Sequence, residues 1–201
     1  IDVINIGLCT TPMLYFSNYH LSTGTGVMIT GSHNPPEYNG FKIVINEKTL
    51  SSDEIQHLYK IILNSSYQNG KGQEKSLSVK NDYLKKISSS IKLKRPMKIA
   101  IDCGNGAGGV CAQELFENLG VDVEAIFCDV DGNFPNHHPD PSDPKNFQDL
   151  KRILKEGNSE LGLAFDGDAD RLGVITKDGE IIFPDRQLLL FSEAVLKKNP
   201  G

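Results

Sequence analysis

Six residues hold the densest chemistry in this 201-residue chain: Asp166-Gly167-Asp168-Ala169-Asp170-Arg171. Alternate carboxylates in an extended or looped segment can converge on one point. If the three lie within about 5 Å of one another, each pair repels by roughly 3 kcal/mol at an effective dielectric near 20. Three pairs cost about 10 kcal/mol, comparable to the whole stability of a domain. The carboxylates must then splay, protonate or share a cation. An all-oxygen donor set suits Mg²⁺, Mn²⁺ or Ca²⁺. The EF-hand pattern does not fit, because Arg171 stands where its glycine belongs and Lys177 where its glutamate belongs. The plain alternative is a solvated acidic turn.

Two other stretches compete for a role. Gly104-Asn105-Gly106-Ala107-Gly108-Gly109 matches GxGxxG through Gly104, Gly106 and Gly109, follows a strand-like run, and has Asp129 downstream. That is a dinucleotide-binding fingerprint. Asp102, just before it, would turn negative charge toward a pyrophosphate. The other stretch is Thr30-Gly31-Ser32-His33-Asn34-Pro35-Pro36. A hydrolase reading needs Ser32 activated by a histidine, but adjacent side chains in an extended segment point apart, as Ser32 and His33 would. No GxSxG elbow is present.

The elements that must position these loops follow from periodicity. Gly26–Thr30 and Phe41–Ile45 read as short buried strands joined by the Ser32 loop. Ser51 and Glu54 have capping-box spacing, and Ile55, Leu58, Tyr59 and Ile62 line one face of the helix that follows. Residues 64–78 are polar and read as a surface loop and domain boundary. A helix over about 81–91 leads to an alternation of strand and helix. The strands are Met97–Asp102, Val121–Phe127 and Leu161–Phe165, and the helices Val110–Leu119, closed by Gly120, and Phe147–Glu156. Leu172–Thr176 and Glu180–Phe183 flank Asp178-Gly179 as a hairpin, and Asp185–Lys198 reads as a last helix. The pattern predicts an α/β fold: three-layer α/β/α domains with mixed sheets. A domain boundary is expected at about residue 78.

Composition bounds the function. A formal charge of −5 and the lack of a Lys/Arg run argue against non-specific nucleic-acid binding. No apolar run is long enough to span a bilayer. Cys9, Cys103, Cys111 and Cys128 are scattered without metal-binding spacing, consistent with a reduced, cytoplasmic protein. His137 and His138 lie in a Pro-rich loop and read as packing or hydrogen-bonding residues. A start without Met inside an apolar run suggests a fragment of a longer protein.

The two loops make joint sense if Ser32 carries a phosphoryl group. A phosphoserine is a dianion, and a dianion beside three aspartates requires a metal. A metal on Asp166, Asp168 and Asp170 has room for another oxygen and would neutralise charge as the group transfers.

TGSHNPPEYNGFKI, DCGNGAGG, DGNFPNHHPDP and DGDADR, in this order and along essentially the whole chain, resemble the α-D-phosphohexomutase superfamily, in particular its bacterial phosphomannomutase/phosphoglucomutase branch. The resemblance implies an isomerase that interconverts hexose 1-phosphate and 6-phosphate, of mannose or glucose, through a 1,6-bisphosphate. It implies Ser32 as phosphoserine, Lys42 as general acid/base with His33 as a weaker second, and Arg171 and Asn34 as phosphate or substrate contacts. It implies one Mg²⁺ on the three aspartates and a Ser32 oxygen, with glucose 1,6-bisphosphate as activator. The domains it implies run over 1–78, 79–180 and 181–201. The partners expected are small sugar phosphates, with neither nucleic acid nor membrane. Ala169 stands where relatives often have Gly. Counterparts of the family's N-terminal arginine segment, its GEMSGH-like sugar-reading loop and its last phosphate clamp are not found here. The chain alone is therefore expected to bind substrate poorly and turn over little or not at all. A dinucleotide-binding module on Gly104, Gly106 and Gly109, or a non-catalytic truncated relative, remains the alternative.

Overall fold

The computed structural model describes residues 1–200. The chain opens with β1 (Val3–Asn5) and α1 (Thr11–His20). The helix starts where Thr10 accepts a hydrogen bond from the Met13 amide and Pro12 occupies the first turn, a position that needs no amide donor. Next come β2 (Gly26–Ile29), β3 (Phe41–Ile45) and β4 (Lys48–Thr49), an antiparallel sheet in the order β2-β3-β4. The Ser32 loop joins its first two strands. In α2 (Ser52–Leu63) the Glu54 carboxylate accepts from the Ser51 amide at 2.7 Å, the returning half of the capping box.

The polar stretch 64–78 departs from expectation. It contains a strand, β5 (Glu74–Ser76), paired parallel with β1. All three of its residues are exposed, so no apolar alternation announces it. Backbone pairing and an Asn5-to-Glu74 side-chain hydrogen bond (3.0 Å) hold it instead. The expected apolar face of α2 is a second departure: Ile55, Tyr59 and Ile62 are 44%, 54% and 65% exposed. The periodicity is real, but nothing in the described residues covers that face.

After α3 (Lys80–Ser90) the second half is built on β6 (Lys98–Asp102), α4 (Ala112–Asn118), β7 (Asp122–Ile126), α5 (Gln148–Glu156), β8 (Leu161–Phe165), β9 (Leu172–Thr176) and β10 (Ile181–Ile182). Both expected helices here begin with a short 3-10 turn, over Ala107–Val110 and Pro144–Phe147. The strands form one mixed sheet in the order β10-β9-β8-β6-β7, parallel across β7, β6 and β8 and antiparallel beyond. Gly179 (φ +85°) makes the expected hairpin turn and Gly120 (φ +80°) ends α4.

Phe147, Leu150, Ile153 and Leu154 pack one face of this sheet against Ala100, Ala164 and Ile175. Ala112 and Val121 cover the other face over Ile99, Ile101, Cys103 and Leu163. The result is an α/β/α sandwich. Each fully buried large side chain contributes about 1.5–3 kcal/mol. A third cluster joins Met13, Leu14, Met28, Val79 and Leu84 to Cys111, so both halves share a core. α6 (Pro184–Lys198) buries only Gln187 and leaves Leu188, Leu189, Leu190 and Phe191 exposed.

Candidate active site

The site forms where three chain segments meet: the β2–β3 loop, the N-terminus of α1 and the turn after β8. In the β8–β9 turn, Asp166 and Asp168 are buried and Asp170 is partly exposed. One oxygen from each lies within 4.8 Å of the others. The turn closes because Asp166 Oδ1 accepts the amides of Asp170 and Arg171, both at 3.0 Å. Ala169 sits at φ +57°, in the left-handed region where a Cβ is disfavoured.

Ser32 is also in the left-handed region (φ +52°), and its amide donates to Thr30 Oγ1 at 2.8 Å. That geometry aims the hydroxyl across the gap between the halves. Ser32 Oγ lies 2.9 Å from Asp166 Oδ2 and 3.0 Å from Asp168 Oδ1. A hydroxyl has one proton to donate, so one of the two carboxylates is left facing the oxygen without it. A cation there would satisfy both. His33 Nδ1 is 3.4 Å from the same hydroxyl.

Glycine permits this approach. A Cβ on Gly167 would overlap the Ser32 carbonyl, and one on Gly106 would fall 2.7 Å from the Gly167 oxygen. The glycine-rich run therefore packs backbone on backbone. Its amides are already engaged: Gly104 with Asp102, Asn105 with Phe127, Gly106 with Cys103 and Ala107 with Gly167. A pyrophosphate would find those donors taken, which weighs against the dinucleotide reading.

Lys42, on β3, reaches both Asp168 and Asp170 at 2.5 Å. Burial works to lower its pKa, but the hydrogen bonds and charges of the two carboxylates outweigh burial and hold it above its ordinary value. A general base needs the opposite shift, so in this arrangement Lys42 is a fixed cation. Burial pushes Asp166 up to about 6, reinforced by the Asp168 charge and opposed by the Arg171 amide. Asp168 is buried too, but hydrogen bonds from Lys42 and Thr11 outweigh that and hold it low.

Thr11 is the site residue that motif reading missed. Its hydroxyl donates to Asp168 Oδ2 at 2.6 Å, and its amide to the Asp168 carbonyl at 3.0 Å. The signal was present as Thr10-Thr11-Pro12, a helix start whose first amides seek acceptors. Two expected site residues make no side-chain hydrogen bond among the described residues: Asn34, which lines an open cleft of roughly 1450 Å³ running past Ser32 and Asp168 between β1 and β2, and Arg171, which is exposed.

Comparison with known proteins places the chain. Residues 1–69 match phosphoglucomutase/phosphomannomutase alpha/beta/alpha domain I, and residues 81–179 match domain II of the same family. The chain is 58% identical to a phosphoglucomutase of Neisseria meningitidis serogroup B, covering all of this chain and 44% of that protein. It is 49% identical to the phosphomannomutase/phosphoglucomutase of Pseudomonas aeruginosa, covering 43% of it. A crystal structure of a family protein from Burkholderia thailandensis superposes with a TM-score of 0.95 at 48% identity, covering all of this chain and 46% of that one. The chain thus spans less than half the length of these three relatives.

Proposed function

The chain belongs to the phosphoglucomutase/phosphomannomutase family, and from that premise we propose that it carries the phosphoryl-transfer half of a phosphohexomutase active site. The observation that carries this reading is the Ser32 hydroxyl, held 2.9 and 3.0 Å from two buried aspartates that come from the other half of the chain. Ser32 is the phosphoryl carrier. In the forward step a sugar hydroxyl oxygen bonds phosphorus as the bond from phosphorus to Ser32 Oγ breaks. The sugar's proton leaves to a base and Ser32 Oγ regains one. The 1,6-bisphosphate then returns its other phosphoryl group to Ser32. The substrates are hexose 1- and 6-phosphates of glucose or mannose, with glucose 1,6-bisphosphate as activator. The chain works in the cytoplasm. No helix of the described residues is long and apolar enough to cross a membrane.

The three carboxylates and the Ser32 oxygen fit a hard divalent cation such as Mg²⁺, because the donors are all oxygen and Ser32 cannot satisfy two carboxylates with one proton. When bound, that cation supplies charge neutralisation for the transferring group. Thr11 holds Asp168 in place, and the Asp170 and Arg171 amides hold Asp166. Lys42, fixed as a cation, serves as a charge partner of the phosphoryl oxygens, and His33 is the base nearest Ser32. Asn34, unengaged in the cleft, and Arg171, exposed at the end of the aspartate turn, reach phosphate oxygens. We assign 1–78 to a first domain, 79–180 to a second and 181–201 to the opening of a third. With so much of the relatives' length outside it, the chain alone turns over little or no sugar phosphate.

The test is incubation with glucose 1,6-bisphosphate and Mg²⁺, then peptide mapping of residues 30–42. Phosphate on Ser32, absent in Ser32→Ala, is expected. An unlabelled Ser32 in both this chain and a longer form carrying the remaining domains would overturn the reading.

A further inference from the structure

Behind the aspartate turn lies a second charged constellation that the phosphoryl transfer does not use. Asp102, at the end of β6, is fully buried. Its Oδ1 accepts the Gly104 amide at 2.8 Å, and its Oδ2 faces His137 Nε2 at 2.9 Å. The other ring nitrogen, His137 Nδ1, faces the His138 carbonyl oxygen at 2.9 Å. One ring nitrogen faces a carbonyl oxygen and the other a carboxylate, and the imidazolium form is the one that donates to both. The hydrogen bond to Asp102 raises its pKa, against the effect of burial. The remaining groups around the ring are Phe127, edge-on with centroids 5.5 Å apart, and the more distant Asp149 of α5, which is paired with Arg152.

This ion pair fastens two loops that grip the metal turn. On one side Asp102 holds Gly104, and the run continues to Ala107, whose amide donates to the Gly167 carbonyl at 2.8 Å. On the other side His137 holds the 131–141 loop, where Pro139 packs against both Gly104 and Gly167. Asn136 and the Asp131 amide tie this loop back to Asn105 at 2.7 and 2.9 Å. Gly167 lies between Asp166 and Asp168, and it is clasped from both directions.

We infer that Asp102 and His137 are positioning residues whose ion pair fixes the spacing of Asp166 and Asp168 for the divalent cation. This rests on the metal reading proposed above. Partners one step removed from metal ligands typically contribute 10- to 100-fold in affinity. The expected effect of His137→Leu is at the lower end, about 10-fold weaker Mg²⁺ binding, because the pair acts through Gly167 and touches no ligand.

Coupling between sites is reciprocal, which gives a test on the unaltered chain. If the charged ring favours metal binding 10-fold, saturating Mg²⁺ must raise the His137 pKa by about one unit. Simple repulsion between the cation and the imidazolium would lower it, so the sign separates positioning from proximity. The experiment is an NMR titration of the His137 ring with and without Mg²⁺, beside calorimetric Mg²⁺ binding to the wild type and His137→Leu. A raised pKa with weakened binding in the variant is expected. A His137 titration that is unmoved or lowered by Mg²⁺, or a folded His137→Leu chain that binds Mg²⁺ like the wild type, overturns the inference. If the variant does not fold, the wild-type titration decides alone. A wild-type chain that binds no Mg²⁺ sinks the metal reading itself, and this inference with it.

Discussion

Replacing Lys42 with methionine separates the charge of the site from its shape. In the metal-free chain Lys42 is the cation that reaches Asp168 and Asp170, at 2.5 Å from each. Asp168 is 2% exposed and Lys42 24%, so the first of these pairs is largely removed from water. Breaking a buried pair by deleting one partner costs about 3–5 kcal/mol. Partial exposure of the ammonium and of Asp170 argues for the lower end, about 3 kcal/mol. That is a large share of the 5–15 kcal/mol typical of a domain. The cost also has a remedy. A divalent cation and the ammonium compete for the same carboxylates, so Lys42→Met is expected to bind Mg²⁺ more tightly than the wild type. A ligand at 100 times its Kd stabilises by about 2.7 kcal/mol. Urea unfolding in chelator and in excess Mg²⁺ therefore gives four stabilities. The expected pattern is a deficit of about 3 kcal/mol in chelator that shrinks in Mg²⁺. Two results would refute the reasoning: a metal-free deficit below about 0.5 kcal/mol, the range of an ordinary surface change, or a deficit that Mg²⁺ leaves intact.

Other perturbations probe the same geometry. Gly167→Ala forces a Cβ into the Ser32 carbonyl, so the two loops must part; Mg²⁺ affinity is expected to fall at least 10-fold while far-ultraviolet circular dichroism stays native. Ala169→Gly relieves a left-handed φ of +57° worth about 1 kcal/mol or more but adds freedom to the unfolded chain, for a net gain of about 0.5 kcal/mol in urea unfolding; a loss would show that the strain is absent. Mg²⁺ must displace the proton from Asp166, whose pKa is pushed up to about 6. Affinity should therefore hold near pH 7 and fall about 10-fold by pH 5, and a flat calorimetric profile over that range would place the cation elsewhere. Without metal the same raised pKa has the opposite consequence. Asp166 contributes stability below its unfolded value of 3.8, and that contribution is lost as pH climbs through about 6, so an Asp166→Asn chain in chelator should lack that loss.

The acidic turn and the serine loop were legible because each carries its chemistry in a contiguous run placed at the end of a strand. Three alternate aspartates that converge must protonate or share a cation, and that argument needs no neighbour. The sandwich of the second half was legible for a similar reason: Phe147, Leu150 and Leu154 mark a buried helical face within eight residues, and all three are buried. The Asp178-Gly179 turn fixed the hairpin locally.

What escaped the sequence depends on pairing across long separations. β5 is recognisable only opposite β1, about seventy residues away, because Glu74, Lys75 and Ser76 have no apolar side to bury. Thr11 became a site residue only when α1 docked its first turn on Asp168, 157 positions on, through a side chain and an amide at once. Periodicity also over-stated burial on α2, where Ile55, Tyr59 and Ile62 lie open, and Leu188 to Phe191 on α6 lie open as well. Periodicity reports that a face is apolar, and the partner that covers it need not lie in the same 200 residues. The matched curated relatives are more than twice as long, whereas Ser32 and the aspartates already meet inside this chain through a core shared by its two halves. The candidate site is therefore built from short-range turns brought together by one packed contact.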